Sequence, residues 1–253
     1  MRRVALAVVV VVAVAGCGAG RQSAPVDSSP AATATTSATT TEASPASTQL
    51  AVYFVRGGKV APVRRAVPPT KGVAAAALLQ LLEGPTADER AQGLTSAIPS
   101  DAALTGLSIA AGDARLDGVA GLDREALGQV VYTLTQFPTV RSVNGLTRAD
   151  LEDVTPLILV ESPLPGDTVS SPLHVRGSAD TFEANVQLSV GDADGNLVDT
   201  FTTATAGNGQ RGSFDGVVTF TVRHPGAGTL VAYDVNQASG AREHVFTVPV
   251  VLR

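Results

Sequence analysis

The stretch Asp123-Arg-Glu-Ala-Leu-Gly-Gln-Val-Val-Tyr-Thr-Leu-Thr-Gln-Phe-Pro138 decides the architecture of the first half of this 253-residue chain. Asp123 can accept hydrogen bonds from the unpaired amides of a helix start, and Pro138 cannot continue a helix. Between them, apolar residues recur at helical spacing, at Ala126, Leu127, Val130, Val131, Leu134 and Phe137. The pattern predicts a helix with one buried face.

Upstream of this helix, the sequence predicts a hairpin and a second helix. Residues 50–55 and 60–67 are β-prone runs separated by the turn signal Gly57-Gly58. A helix is expected over residues 71–83, capped by Thr70. Its buried face is expected to contain Val73, Ala77, Leu78, Leu81 and Leu82.

The segment between the two helices begins with Thr86-Ala-Asp-Glu89, a capping box that predicts a short helix ending near Gly93. Residues 94–101 are expected to form an extended loop. Strands are expected at residues 104–110, 114–119 and 140–143, and one or two helical turns at residues 147–154.

Residues 50–145 contain a distinctive set of motifs: Tyr53-Phe54, Arg64-Arg65, Ala77-Leu-Leu-Gln-Leu-Leu-Glu-Gly-Pro85, Ser96-Ala-Ile-Pro99 and Val130-Val-Tyr-Thr-Leu-Thr-Gln-Phe137. In these motifs the segment resembles the GerMN domain, a module named from spore germination proteins. The resemblance implies an α+β fold. The sequence passes quickly from Asn144-Gly145 to Thr147, so the final edge of the sheet is expected to be trimmed.

The second half of the chain reads as short strands separated by Gly, Asp, Asn and Pro. The strand-like runs are residues 157–160, 169–177, 184–190, 197–205, 214–222, 229–235 and 245–252. Ala184, Val186, Leu188 and Val190 alternate with polar residues, as in a strand with one buried face. Seven such strands predict an all-β immunoglobulin-like sandwich, without the Cys and Trp hallmarks of antibody domains.

This half also contains the motifs Ile158-Leu-Val-Glu-Ser-Pro163, Pro165-Gly166, Ser171-Pro-Leu173, Val175-Arg-Gly177, Phe182-Glu-Ala184, Asp194-Gly195 and Gly212-Ser-Phe214. In these motifs it resembles the Gmad2 domain, the immunoglobulin-like domain of bacterial spore germination proteins. The resemblance extends from residue 156 to residue 252 and implies a connection to spore germination or sporulation.

The N-terminus has the three parts of a secretory signal: Met1-Arg-Arg3, an apolar run over residues 4–15, and small residues before Cys17. It resembles a bacterial lipoprotein signal peptide over residues 1–16, which implies that Cys17 is acylated and becomes the mature N-terminus. The alternative is an ordinary signal peptide that contains a cysteine. A lipid on Cys17 would place the protein at the extracytoplasmic face of the cell membrane.

Residues 17–48 are rich in Ser, Thr, Ala and Pro, which predicts a disordered tether. A flexible coil of about 30 residues reaches on the order of 30 Å. The tether is a solvated linker or a glycosylated one. We therefore divide the rest of the chain into a GerMN-like domain at 49–146, a linker at 147–155 and a Gmad2-like domain at 156–253.

Composition excludes several classes of function. The net charge is −5 and no basic block follows Arg3, so a nucleic-acid partner is not expected. The single cysteine leaves no internal disulfide and no cysteine nucleophile. The chain also lacks G-x-S-x-G, so nucleophilic catalysis has no recognisable start.

Two loops match binding motifs only formally. Residues 207–212 fit G-x-G-x-x-G, but strands rather than a strand and a helix are expected around them, so a hairpin loop is predicted. Asp192-Ala-Asp-Gly195 begins like a calcium loop but lacks the glutamate that completes one, which favours a β-turn.

The remaining candidate side chains are interpreted structurally. His174, His224 and His244 show no metal-ligand spacing. The pair Glu152-Asp153 could serve a hydrolase but is expected to be solvated surface. Tyr132 and Phe137 could form an aromatic ligand platform but are expected to lie in the core or at its margin.

The sequence thus predicts a protein without catalytic residues, metal ligands or cofactor, whose one assigned site is lipidation at Cys17. Three hypotheses remain. The first is a binding and assembly module that contacts an envelope protein or another copy of itself, and it requires an exposed apolar patch or open sheet edge on the GerMN-like domain. The second is peptidoglycan or glycan binding through the sandwich, which requires a groove with polar and aromatic groups. The third is an enzyme, which requires convergent acid, base or metal groups in a pocket.

Overall fold

The computed structural model describes residues 47–195, 197–222 and 224–253. The predicted signal peptide, Cys17 and the tether up to residue 46 lie outside the described residues. Within the described ranges, no helix combines the length and apolarity needed to cross a membrane. Two separate hydrophobic cores define a first lobe, residues 48–154, and a second lobe, residues 158–252.

The first lobe combines helices with two small sheets. In chain order its elements are β1 (Thr48–Arg56), β2 (Lys59–Val67), α1 (Val73–Leu82), α2 (Ala87–Ala91), β3 (Thr105–Ala110), β4 (Asp113–Asp117), α3 (Arg124–Leu134) and β5 (Ser142–Val143). β1 and β2 form an antiparallel hairpin, and β4 lies between β3 and the parallel strand β5. β5 is two residues long, which fits a trimmed edge. β1 begins at Thr48, which is the last residue predicted for the tether and lies two residues before the predicted start of this strand at residue 50.

Helix α3 forms within the stretch Asp123–Pro138, as predicted. The Asp123 carboxylate accepts a 2.8 Å hydrogen bond from the Ala126 amide and so caps the helix. The helix ends at Leu134, so Phe137 follows it and packs, partly buried, against the first core. Gly128 permits close packing, because an added Cβ would lie 3.0 Å from Val60 and 2.9 Å from Val154.

Side chains of α3, and of Gln136 just after it, also complete the free edge of β1. The Thr133 hydroxyl accepts a 3.0 Å hydrogen bond from the Tyr53 amide. The Gln136 side chain accepts from the Ala51 amide at 2.9 Å and donates to the Ala51 carbonyl. Gln129 donates to the Tyr53 carbonyl at 3.3 Å. These side chains take the place of a neighbouring strand, which satisfies backbone groups that burial would otherwise leave unpaired.

Helix α1 differs from the prediction at two positions. Gly72 rather than Thr70 is its N-cap, and Thr70 instead accepts a hydrogen bond from the Gly72 amide at 3.0 Å. Leu82 is 40% exposed, so its assignment to the buried face is wrong. At 100° per residue, Leu82 falls at the border of the stripe that the helix buries. That stripe consists of Ala74, Ala77, Leu78 and Leu81.

The capping box before α2 is confirmed. The Thr86 hydroxyl accepts a hydrogen bond from the Glu89 amide at 3.3 Å, and the Glu89 carboxylate accepts one from the Thr86 amide at 2.7 Å. α2 ends at Ala91, close to the expected end at Gly93.

The second lobe is a sandwich of a five-stranded and a three-stranded sheet that share one core. Its strands are β6 (Ile158–Ser162), β7 (Thr168–Val169), β8 (Leu173–Ala179), β9 (Asn185–Asp192), β10 (Leu197–Thr203), β11 (Gly212–Val218), β12 (Gly226–Val235) and β13 (Arg242–Leu252). The sheets have the orders β10-β9-β12-β13-β7 and β11-β8-β6.

One predicted strand of this lobe is wrong. Residues 169–177 contain two strands, β7 and β8, which belong to different sheets. Pro172 lies between them and has no N–H to donate, so the ladder cannot continue through it. The alternation predicted for residues 184–190 is confirmed in part. Val186, Leu188 and Val190 of β9 are buried in the shared core, but Ser189 is also fully buried, and Ala184 precedes the strand.

The two lobes are packed together through buried groups. Tyr53, Val60 and Tyr132 of the first lobe form a buried cluster with Leu159 of the second. The expected linker at residues 147–155 contains a 3₁₀ segment, Arg148–Val154, whose Leu151 is buried in the first core. The linker is therefore part of the packed structure.

Candidate functional site

A cleft of about 360 Å³ opens at one end of the second lobe, and we call it the acidic cleft. It lies where β12 and β13 meet the turn between β8 and β9. Its walls include Asp180, Phe182, Asp234, Asn236, Glu243 and His244. Three carboxylates and an imidazole therefore face one concave surface.

An irregularity in the β12–β13 ladder shapes the acidic cleft. Ala232 pairs with Phe246 and Asp234 pairs with Glu243, so β13 carries one residue more than β12 between these pairs. Such a β-bulge redirects side chains locally. His244 lies in the bulge with a φ of 50°. Its Nδ1 atom is 2.9 Å from Oδ1 of Asp234, whose side chain is only 13% exposed.

The bulge brings together a set of possible metal ligands. One ligand atom each from Asp234, Glu243 and His244 lie within 4.8 Å of one another. Glu243 is further positioned by Asn236, whose amide donates a 2.8 Å hydrogen bond to it. One imidazole nitrogen and two carboxylate oxygens form a set of ligand atoms that suits Zn²⁺ and related ions. These side chains could hold such an ion.

An aromatic side chain stands beside the polar groups of the acidic cleft. Phe182 is 58% exposed, in a short turn between β8 and β9. The turn is fixed on both sides: the Glu183 amide donates to the Asn208 side chain at 3.1 Å, and the Thr181 hydroxyl donates to the Asn185 carbonyl at 2.8 Å. An exposed ring next to hydrogen-bonding groups is the combination that the hypothesis of glycan binding requires.

Comparison with family models divides the chain in the same way as the two cores. Residues 157–241 match Gmad2, the immunoglobulin-like domain of bacterial spore germination. Residues 51–144 match Germane, a family described by sporulation and spore germination. The chain carries both domains. No curated protein matches it.

The two matches confirm the resemblance to Gmad2 and the immunoglobulin-like character of the second lobe. They also confirm the link of the first lobe to spore germination, whereas the GerMN label and the lipoprotein signal stay predictions. Most of the acidic cleft lies inside the Gmad2 match. Glu243 and His244 lie just beyond its last residue, 241.

The other two histidines each face a single carboxylate in the Gmad2 domain. His174 on β8 lies 3.4 Å from Asp215, and His224 lies 3.6 Å from Asp194. All four side chains are more than half exposed. Pairs of this kind are ordinary surface contacts.

The two loops that match binding motifs connect strands, as predicted. The turn at residues 192–195 is confirmed, because the Gly195 amide donates to the Asp192 carbonyl at 3.1 Å between β9 and β10. The loop over residues 207–212 is not a hairpin, because β10 and β11 belong to different sheets. It packs against the turn that carries Phe182: a Cβ on Gly207 would lie 2.6 Å from the Thr181 carbonyl oxygen.

The acidic pair Glu152-Asp153 does not converge on a cleft. Asp153 binds Arg124 on α3, and Glu152 accepts hydrogen bonds of 2.9 and 3.0 Å from Arg211 of the Gmad2 domain. The Arg211 side chain is only 12% exposed, so this second pair helps to hold the two domains together.

The aromatic residues Tyr132 and Phe137 are packed against apolar neighbours, as expected: Tyr132 is buried in the cluster where the two lobes meet, and Phe137 lies at the margin of the Germane core. The Tyr132 hydroxyl lies 2.7 Å from the Thr155 hydroxyl, and burial raises the pKa of Tyr132. Cys17, the predicted lipidation site, lies outside the described residues.

Proposed function

We propose that the protein is a non-catalytic binding and assembly module of the cell envelope that serves spore germination or sporulation. A lipid on Cys17 holds it at the extracytoplasmic face of the membrane, and the tether lifts its two domains clear of the headgroups. The Germane and Gmad2 matches support the connection to germination. The observation that carries the assembly role is an open sheet edge on the Germane domain.

Strand β3 provides this edge. Among the described residues it pairs only with β4, and five of its six residues are exposed. Exposed edge strands are usually protected by charged residues, proline or bulges. Here a bulge between Thr105 and Ser108 protects the first half. The second half, Ser108 to Ala110, has no charge and presents Ile109 at 41% exposure. An extended segment of another protein chain can add to such an edge as a strand.

The assembly role is tested by site-specific photocrosslinking in intact cells. A photoreactive residue at Ile109 should give a discrete adduct, whereas one at Leu79, which is 62% exposed on α1, should give none. Moving the photoreactive residue to Ala110 and adding Ile109→Lys, which places a charge on the edge, should abolish the adduct. Equal labelling from both positions, or an adduct that survives Ile109→Lys, contradicts the proposal. The mass of the adduct distinguishes a second copy from a different envelope protein.

The membrane anchor is tested separately. Cells fed a clickable fatty acid should incorporate it into the protein, and Cys17→Ser should abolish the incorporation. Durable attachment requires more than one acyl chain, so mass spectrometry of the mature N-terminus should find several. A protein that carries no label and fractionates with the cytosol would refute the anchor.

Glycan binding through the Gmad2 domain is the second candidate, and the acidic cleft favours it because Phe182 stands beside hydrogen-bonding side chains. The protein should then co-sediment with purified cell wall, and Phe182→Ala should release it. Phe201→Ala is the matched control, because Phe201 is 64% exposed on β10 and lies outside the cleft. Equal behaviour of the two variants would argue against this site.

A further inference from the structure

A second cleft, of about 270 Å³, lies between the two domains, and we call it the interlobe cleft. The Germane domain contributes Arg56, Arg64, Glu89 and Gln92 to its walls, and the Gmad2 domain contributes Pro165 and Pro249. The site therefore exists only while the two domains are packed together.

Arg56, the last residue of β1, distinguishes this cleft. Its Nε atom is buried and has no hydrogen-bond partner. Among the described residues, no carboxylate forms an ion pair with its guanidinium. An unpaired positive charge that is partly removed from water is unfavourable unless a counter-charge joins it.

The other charges at the cleft already have partners. Arg64 forms an ion pair with Asp167 of the Gmad2 domain. Glu89 accepts hydrogen bonds of 2.7 Å from the Arg65 guanidinium and from the Thr86 amide. Arg56 is thus left as one uncompensated positive charge in the cleft.

We propose that the interlobe cleft binds a carboxylate group, with Arg56 as its charged partner. A guanidinium presents donors in a planar fork that matches a carboxylate, and the Gln92 amide can add a further donor. One uncompensated charge complements a monoanion better than a phosphate group, which carries nearly two negative charges at neutral pH. Pro165 and Pro249 supply apolar contact for the body of a small organic acid.

This assignment goes beyond the proposed function, because it places a small-ligand site away from both β3 and the acidic cleft. Its test uses the purified full chain in detergent with three probes: butyrate, its neutral analogue butyramide, and inorganic phosphate. Butyrate should shift the amide NMR signals of Arg56 and Gly166 in a saturable manner, and butyramide should not.

Matched variants assign the binding to Arg56. Arg56→Gln should weaken butyrate binding at least tenfold, and Arg56→Lys should weaken it less. Arg115→Gln, in a side chain that is 77% exposed on β4, should leave it unchanged. Unaltered binding to Arg56→Gln, equal binding of butyramide, or Arg56-dependent binding of phosphate alone would each overturn the carboxylate assignment.

Thermal unfolding without ligand separates a binding role from a structural one. Because Arg56 has no partner to lose, Arg56→Gln should leave Tm unchanged or raise it. Replacing a residue that serves binding at a cost in stability commonly stabilises the protein. Arg64→Gln should lower Tm, because it removes the cation that pairs with Asp167. A fall in Tm for Arg56→Gln as large as that for Arg64→Gln would overturn the proposal.

Discussion

The Tyr53 hydroxyl donates a 2.7 Å hydrogen bond to Oε1 of Glu161, which joins residues 108 positions apart in the two domains. The same oxygen accepts a 2.6 Å hydrogen bond from Arg148. The Arg148 guanidinium lies 4.5 Å from the centre of the Tyr132 ring and 5.8 Å from that of Tyr53. One carboxylate of the Gmad2 domain thus binds both the Tyr53 hydroxyl and the Arg148 guanidinium of the first lobe, which fixes how the two lobes pack.

Glu161→Gln should lower the free energy of unfolding by about 1–3 kcal/mol. Removing one partner of a buried ion pair costs about 3–5 kcal/mol, and the exposure of these side chains, 26% for Arg148 and 28% for Glu161, reduces that figure. Urea unfolding followed by circular dichroism measures the change.

Asp215→Asn is the control for this prediction. Asp215 pairs with Arg176 and His174 on the surface of the sandwich, where all three side chains are more than half exposed. Exposed pairs contribute little to stability, so Asp215→Asn should lower the free energy of unfolding less than Glu161→Gln does. If both variants lose the same stability, the contact between Tyr53, Arg148 and Glu161 contributes no more than a surface pair.

Alkaline pH should destabilise the domain junction through Tyr53. Burial raises the pKa of Tyr53 well above its usual value, and the negative charge of Glu161 raises it further. The unfolded chain therefore loses this proton at a lower pH than the folded protein does. The stability from Tyr53 is complete below about pH 10 and is lost as the pH rises toward the raised folded pKa. Tyr53→Phe should flatten the alkaline limb of a plot of unfolding free energy against pH, and an unchanged limb would refute the assignment.

Periodic patterns in the sequence predicted most of the elements, because a packed helix or strand imposes its own repeat on the chain. Val130 and Leu134 on α3, and Val186 and Leu188 on β9, are all buried as the patterns indicate. The capping roles of Asp123 and Thr86 could also be predicted from the sequence, because a helix cap depends only on residues that are close in sequence.

Features that depend on strand register or on domain packing could not be read in this way. Asp234 meets His244 because a bulge shifts the β12–β13 ladder, and no spacing along the chain encodes that shift. Arg56 borders a cleft only because the Gmad2 domain closes it with Pro165 and Pro249. Both candidate binding sites were therefore missed at the level of sequence.

Thr133→Val should destabilise the protein by about 1–3 kcal/mol, although the two side chains have similar shapes. Thr133 is fully buried and accepts the hydrogen bond of the Tyr53 amide, which would be left without a partner. Hydrogen exchange should accelerate more at the Tyr53 amide than at other core amides, whereas a packing defect elsewhere would accelerate the core amides alike. Thr105→Val, at an exposed position of β3, should change neither quantity.

Glu89→Gln should lower stability at neutral pH, by about 1–2 kcal/mol, because it weakens two charge-assisted hydrogen bonds. Burial acts to raise the pKa of Glu89, but the hydrogen bonds from Arg65 and from the Thr86 amide outweigh burial, so the pKa is lowered. A lowered folded pKa gives stability that is complete above the unfolded value of about 4.3 and is lost as the pH falls through the folded pKa. The difference between wild type and Glu89→Gln should therefore shrink below about pH 4 in urea unfolding. Asp88→Asn, at an exposed position of the same helix, is the control. If the difference in unfolding free energy between wild type and Glu89→Gln is as large at pH 3 as at neutral pH, the Glu89 carboxylate is not the source of the acid dependence.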